Sequence, residues 1–360
     1  MGTGIGTDRF YPLPTRQPYP LRQWWVAARS TELGPSILAR TLLDMPVVLF
    51  RTAAGEAVAL QGICPHRLFP FARGRRVGDT IECGYHGMRF DAAGRCVHIP
   101  TQPAVEGKLG VRSFPLRERG GLVWIWMGDA QLATQAPLPD IDSTGVGCPG
   151  WATEYHALAT ARARYTLLIE NLMDLSHISF IHADTIPAGE AVASLPFEIF
   201  ETERSLNVRR SARGMPPNPY LRMLFPDNAE RVDQSFDAEY LAPGLIRTGG
   251  LIEAVPAQGA PRPLGTTNFV HAITPETAHS VHYFVQTARD FRIDEAALGR
   301  MNEESGMKIQ PQDIDAIEAI EQFAPRFGNT RTEISCAADA GAIRVRRRLG
   351  LQIAAEEGAV

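Results

Sequence analysis

Cys64-Pro65-His66-Arg67 and Cys83-Gly84-Tyr85-His86-Gly87 are the two stretches on which the reading of this 360-residue chain turns. Each supplies one soft thiolate and one imidazole, as Cys-x-His and Cys-x-x-His, with sixteen residues between the two halves. That donor set suits a metal. Two cysteines on one iron and two histidines on the other hold a [2Fe–2S] centre, and replacing thiolate by neutral imidazole raises its potential. Zinc accepts the same donors, but zinc ribbons favour Cys-x-x-Cys knuckles or cysteines in one half and histidines in the other, whereas each half here mixes the two. Gly84 and Gly87 fit a backbone that must approach a cluster closely. His98 lies outside both loops, where a surface or packing role is expected.

The flanks Ile63-Cys64-Pro65-His66-Arg67 and Tyr85-His86-Gly87 closely resemble the two ligand loops of Rieske proteins. Around them run short β-type segments at Val47–Phe50, Ala57–Leu60, Thr80–Cys83 and Leu122–Trp126. Turn residues separate the runs at 53–56 and 91–94, as hairpins require. The pattern predicts a small antiparallel β domain over 23–135, preceded by an irregular arm, 1–22, rich in Gly, Pro and Thr and expected to fray or pack late.

A chain of this length is expected to form two domains, because single cores stop growing near about 250–300 residues. Pro- and Gly-rich residues 136–150 read as the linker, 151–345 as the second domain and 346–360 as a C-terminal tail. Net charge is −4 with both signs interspersed, which argues against a nucleic-acid partner and a polybasic membrane anchor. No apolar run reaches transmembrane length and no secretory signal is evident, so a cytoplasmic protein is expected. With Cys64 and Cys83 assigned to the cluster, Cys96, Cys148 and Cys336 are expected to remain reduced, buried or half-buried thiols.

The second decisive segment is Ile169-Glu170-Asn171-Leu172-Met173-Asp174-Leu175-Ser176-His177-Ile178-Ser179-Phe180-Ile181-His182. Leu168, Leu172, Leu175 and Ile178 recur at helical steps, which places Asn171, Asp174 and His177 along one side. His182 is five residues past His177, so a bend or helix end is expected between them. Two such imidazoles supply two thirds of a 2-His-1-carboxylate site for non-haem Fe(II), although a lone helical histidine is more often a core or capping residue. The string Asn-Leu-x-Asp-x-x-His-x-x-x-x-His, about ninety residues after a Rieske pair, resembles the catalytic signature of the Rieske non-haem iron oxygenases. Together with Ile273-Thr274-Pro275-Glu276-Thr277 and His282-Tyr283-Phe284, it is nearest to the vanillate O-demethylase and dicamba monooxygenase-like group.

That resemblance spans nearly the whole chain from Trp24 and implies an α+β fold. An N-terminal all-β Rieske domain would precede a C-terminal helix-grip (START-like) domain, in which a curved antiparallel sheet grips a long helix. Residues Asp294 to Phe327 read as that helix, interrupted at Pro311. By resemblance the third iron ligand is Asp313, with Asp315 as runner-up, although an acidic helix is ordinarily a solvated face. The resemblance further implies that Asp174 hydrogen-bonds His177 and reaches His86 of a neighbouring subunit in a head-to-tail trimer. Asn171 would be a weak or outer ligand, with a purely structural role equally open.

A terminal oxygenase of this kind takes electrons from a separate NAD(P)H-dependent reductase or ferredoxin. No Gly-x-Gly-x-x-Gly fingerprint marks a nicotinamide or flavin site in the chain itself. The basic loop Arg73-Gly74-Arg75-Arg76 is a docking candidate or a solvated turn. The implied reaction is monooxygenation of a small aromatic compound, with O- or N-demethylation first and ring or benzylic hydroxylation second. His271 matches a substrate-contacting histidine of the group and Glu304 the place of a pocket tryptophan, a departure that argues against assuming the same substrate. Two readings from other classes are a Rieske electron carrier without oxygen chemistry and a zinc-stabilised interaction module.

Overall fold

The computed structural model describes residues 19–103, 107–186, 189–228, 230–327 and 334–358. The chain forms two compact units, one of residues 1–137 with 274–278 and 352–360, the other of residues 138–273 and 279–351.

The described residues of the first unit form ten short strands: β1 (Trp24–Arg29), β2 (Leu38–Leu42), β3 (Met45–Arg51), β4 (Ala57–Gln61), β5 (Arg75–Val77), β6 (Thr80–Glu82), β7 (Arg89–Phe90), β8 (Cys96–His98), β9 (Leu116–Arg119) and β10 (Leu122–Trp126), followed by the helical turn α1 (Ala130–Ala133). They form three antiparallel sheets, ordered β1-β10-β9, β2-β3-β4 and β5-β6-β7-β8. Leu122 to Trp126 are buried at every position because β10 is the middle strand of its sheet and both faces are covered. Most of the expected arm lies outside the described residues. Its end is pinned rather than frayed: Tyr19 is buried, its hydroxyl donates to Asp44, and the Leu21 amide donates to Glu356 at 2.6 Å.

From Leu138 onward the expected linker packs into the second unit. Ile141, Thr144 and Val146 are buried, and Asn268 donates to the Thr144 carbonyl at 2.9 Å. Its Pro and Gly residues shape turns that the unit covers; low periodicity alone did not distinguish these from free chain.

The second unit is built on one antiparallel sheet of β11 (Ala152–Tyr155), β12 (Ala159–Ala161), β13 (Phe197–Glu201), β14 (Leu206–Met215), β15 (Arg231–Ala242), β16 (Leu245–Val255), β17 (Arg262–Thr277) and β18 (Ser280–Arg289). Its order is β11-β18-β17-β16-β15-β14-β13, with β12 also paired to β18. The helices are α2 (Tyr165–Met173), α3 (Ile178–Ile181), α4 (Pro219–Leu224), α5 (Ala296–Phe327) and α6 (Ala340–Glu357). Helix α5, 32 residues long, packs against α2, α3, β11 and β12, so the sheet and the long helix enclose the interior between them.

Three expectations are corrected here. Helix α5 continues through Pro311 without interruption. Proline there removes one i→i−4 hydrogen bond, but Pro311 is exposed and Met307, whose carbonyl loses its donor, is 57 % exposed, so water can take that position. The residues read as a tail continue α6 to Glu357, which buries Val345 and Leu349. Cys336 is exposed rather than buried, while Cys96 is buried and Cys148 half-buried; none of the five cysteines is in a disulfide. No described helix is long and apolar enough to cross a membrane.

Candidate metal centres and active site

The two cysteine–histidine loops share one backbone design. In the first, the Cys64 amide donates to the Phe69 carbonyl and Leu68 donates back to Cys64; in the second, Cys83 donates to Met88 and Gly87 donates back to Cys83. Leu68 (φ 55°) and Gly87 (φ 71°) occupy equivalent left-handed positions. Glycine takes this conformation at no steric cost, whereas a branched residue such as leucine is strained there by about 1 kcal/mol or more. Gly84 is required by a contact other than the expected one: a Cβ would come within 2.4 Å of the Arg73 carbonyl, so the crowding comes from the chain's own loop.

Cys64 and Cys83 are buried, while His66 and His86 are exposed with their Nδ1 atoms 3.2 Å apart. Burial pushes the Cys64 thiol up to about 12, so a thiolate at neutral pH requires a metal that displaces the proton. The donor set therefore fits a cluster whose thiolate end is sealed and whose imidazole end faces solvent. Of the neighbouring arginines, Arg75 pairs with Glu82 at 2.6 Å and Arg76 with Asp79 at 3.2 Å, which offsets part of the basic loop's charge. His98 sits half-exposed on β8, apart from both loops.

In the second unit α2 ends at Asp174, whose backbone is extended (φ −116°, ψ 94°). The expected unbroken run through His177 is thus broken at Asp174, before either histidine. Aspartate competes with helical hydrogen bonding by capping the next turn: its carboxylate accepts from the Ser176 amide at 2.9 Å and the Ser176 hydroxyl at 2.8 Å. The carboxylate also lies 3.6 Å from the buried Arg210 guanidinium. It is the Asp174 backbone carbonyl, not the expected carboxylate, that bonds His177, accepting from Nδ1 at 2.6 Å.

This break turns both histidines toward Asp313. His177 Nε2 is 3.4 Å and His182 Nε2 3.1 Å from Asp313 Oδ1, and ligand atoms of the three residues all lie within 4.8 Å of one another. Because Nδ1 of His177 is committed to a carbonyl and Nδ1 of His182 meets Gln312 Oε1 at 2.9 Å, both rings turn Nε2 inward, the atom that would bind a metal. Thr185 donates to the same Gln312 oxygen at 2.8 Å and fixes that amide's orientation. Burial opposes charge on both partners, yet their hydrogen bond and mutual attraction raise the His182 pKa and lower that of Asp313. Two imidazoles and one buried carboxylate converging from two separate segments fit non-haem Fe(II), with room for further ligands.

Asn171 donates to Asp313 Oδ1 at 2.8 Å, so its amide holds the carboxylate rather than offering a ligand oxygen inward. Asp315 is exposed and takes no part. Gln312, Thr185 and Arg210 were missed in the sequence, and no spacing or composition signal marks them.

The triad opens on a cavity of about 350 Å³ lined mostly by apolar side chains, among them Leu172, Ile178, Phe236, Phe269 and Val285. His271 is buried on its wall, between Thr248 Oγ1 at 3.0 Å and the Tyr283 hydroxyl at 2.7 Å. Burial holds its pKa down at about 3, so it is a neutral imidazole. Glu304 does not line the cavity: it is exposed, while Met301, Asn302 and Ser305 turn inward. Along a helix, adjacent residues are rotated by about 100°, and Glu304 falls on the outer side.

Comparison with known proteins agrees with both centres. Residues 23–115 match the Rieske [2Fe-2S] domain, and residues 161–355 match the vanillate O-demethylase oxygenase C-terminal domain. The oxygenase component of dicamba O-demethylase from Stenotrophomonas maltophilia is 32 % identical over 335 residues, 91 % of this chain and 95 % of that protein. The oxygenase component of chloroacetanilide N-alkylformylase from Rhizorhabdus wittichii is 33 % identical, covering 92 % and 95 %. The crystal structure of dicamba monooxygenase bound to 3,6-dichlorosalicylic acid superposes with a TM-score of 0.85 at 29 % identity, over 93 % of this chain and 98 % of that one. The same enzyme has been crystallised with non-haem iron and dicamba, and that structure gives a TM-score of 0.81. With a Rieske domain, a vanillate O-demethylase-type catalytic domain and the donor sets for both metals, this chain belongs to the Rieske non-haem iron oxygenases and is an oxidoreductase carrying a [2Fe–2S] cluster and mononuclear iron.

Proposed function

We propose that this chain is the terminal oxygenase of a cytoplasmic multicomponent system that removes a methyl or alkyl group from oxygen or nitrogen of a small aromatic compound. A separate NAD(P)H-dependent reductase or ferredoxin would deliver electrons to the cluster held by Cys64, His66, Cys83 and His86. The observation that carries the reading is the convergence of His177, His182 and Asp313 on the wall of an apolar cavity of about 350 Å³, near the lower end for small-molecule sites. Iron bound to that triad supplies activation of dioxygen.

The remaining work falls to the chain. Asn171 and Gln312 hold the ligands in one geometry. Leu172, Ile178 and Phe269 exclude water around the reacting carbon, and neutral His271, held by Thr248 and Tyr283 through both ring nitrogens, packs its ring face on the substrate's side of the wall. In balance, the substrate's O–CH3 or N–CH3 carbon, dioxygen, two electrons and two protons yield a hydroxymethyl product and water. The hydroxymethyl product then collapses to the phenol or amine and formaldehyde.

Relatives named an O-demethylase and an N-alkylformylase favour a carbon on oxygen or nitrogen over a ring carbon. The exposed His66 and His86 suit transfer to the iron of another copy in a head-to-tail trimer, with Asp174 at that junction. The test is reconstitution with a generic reductase and NADH, following oxygen uptake and formaldehyde against methoxylated and N-methylated aromatics. Formaldehyde in step with oxygen consumption is expected; ring-hydroxylated product without formaldehyde would replace dealkylation by hydroxylation.

A further inference from the structure

Helix α5 turns one face to the cavity, and Met301, Asn302, Ser305, Ile309, Gln310 and Asp313 line it at helical spacing. Gln310 stands one turn before Asp313, so its side chain leaves the helix about 5–6 Å from the triad's carboxylate residue. Gln310 is 7 % exposed, and the cavity is the space it borders. Its Nε2 donates to the Tyr283 carbonyl on β18 at 3.4 Å. A carbonyl only accepts, so this contact fixes which end of the amide carries the protons and leaves Oε1 as an acceptor. Among the described residues Oε1 meets no donor, and unlike the sealed polar atoms of the interior it keeps accessible surface on the cavity side. The neighbouring polar groups are committed elsewhere: His271 to Thr248 and Tyr283, Asn171 to Asp313, and Gln312, on the other side of Pro311, to His182 and Thr185.

An open acceptor beside the metal end of a mostly apolar cavity sorts ligands. Any ligand that fills the cavity displaces water from Oε1. A ligand that offers an N–H there replaces the lost hydrogen bond, whereas one without a donor leaves a buried oxygen unsatisfied. The two candidate reacting groups differ in this respect: Ar–NH–CH3 carries a donor on the atom that bears the alkyl carbon, and Ar–O–CH3 carries none. Among the described residues lining the cavity none is Arg or Lys, so a ligand carboxylate would lack a cationic partner, while an arylamine is uncharged at neutral pH.

Building on the dealkylase reading, we propose that Gln310 is a specificity-determining residue: its Oε1 accepts the N–H of a secondary N-alkyl arylamine and holds the attached alkyl carbon at the His177–His182–Asp313 end of the cavity. The substrate class is then a neutral secondary N-alkyl arylamine in preference to an aryl methyl ether or an aromatic carboxylate.

The test is binding to the metal-reconstituted protein, measured by calorimetry with N-methyl-1-naphthylamine, 1-methoxynaphthalene and 1-naphthoate. The amine is expected to bind about threefold to tenfold more tightly than the ether of the same shape. Gln310→Met, close in length and a far weaker acceptor, is expected to bring that ratio to near one while binding the ether at least as tightly as the parent chain does. Equal binding of amine and ether by the parent chain, preferred binding of the naphthoate, a ratio that Gln310→Met leaves intact, or an equal loss of both ligands in that variant would overturn the proposal. Product analysis separates the two readings. Ring-hydroxylated amine without formaldehyde removes the dealkylase assignment and leaves the contact with Gln310. Formaldehyde release with a binding ratio that the variant does not change removes the contact and leaves the dealkylase.

Discussion

At the Cys64–His86 site the thiols are buried and the imidazoles exposed, whereas at the His177–Asp313 site the carboxylate and His182 are buried and all three donors border an internal cavity. Both sites use histidine as a neutral nitrogen ligand, but their surroundings assign different work. An imidazole edge in solvent offers a short exit for an electron and nothing to bind a substrate. A triad at the wall of an apolar chamber offers coordination positions where a carbon can be held and water kept out. The first site uses paired hairpin-like loops whose geometry is local; the second needs a helix break at Asp174 and a carboxylate from a helix more than a hundred residues away.

Several measurements would break or sharpen that contrast. The largest effect is expected from Asp313→Ala, which should lower iron content by about one atom per chain and abolish product. The Rieske absorbance should be unchanged, and loss of both centres together would contradict their independence. Cys83→Ser should do the reverse, removing the cluster's visible absorbance and reductase-driven turnover while the triad still binds Fe(II), as read by calorimetry. Gln312→Ala leaves all ligands in place but frees the His182 ring, so iron affinity or turnover should fall by about 10- to 100-fold.

A smaller effect concerns the cavity wall. His271 is held neutral, with a pKa of about 3 against an ordinary 6.5. Unfolding lets it take up a proton, so the unfolded state binds more protons between those values and stability falls as pH falls through that window. Urea midpoints at pH 7 and pH 5.5 should converge in His271→Gln relative to the parent chain.

The sequence made the cysteine–histidine loops legible because their chemistry is carried by residues a few positions apart. Strands β3, β4, β6 and β10 were legible for the same local reason. Asp313 was reachable only through family resemblance, since its role depends on which face of α5 turns inward, and the acidic stretch around it looks like a solvated surface. The same helical phase misplaced Glu304, which faces outward while Asn302 and Ser305 face the cavity. The break at Asp174 was hidden because the leucine periodicity continues across it; a side-chain cap on Ser176 decided it. Gln312 owes its role to His182 and Thr185, more than a hundred residues earlier in the chain, which no local pattern records.

The most direct test of the division of labour is a single turnover of chemically reduced His177→Ala protein mixed with oxygen and a substrate that the parent chain oxidises. In the parent chain the cluster should reoxidise as product forms. In the variant the reduced Rieske signal should persist at full intensity with no product. Product formation by the variant, or loss of its Rieske signal, would contradict the account.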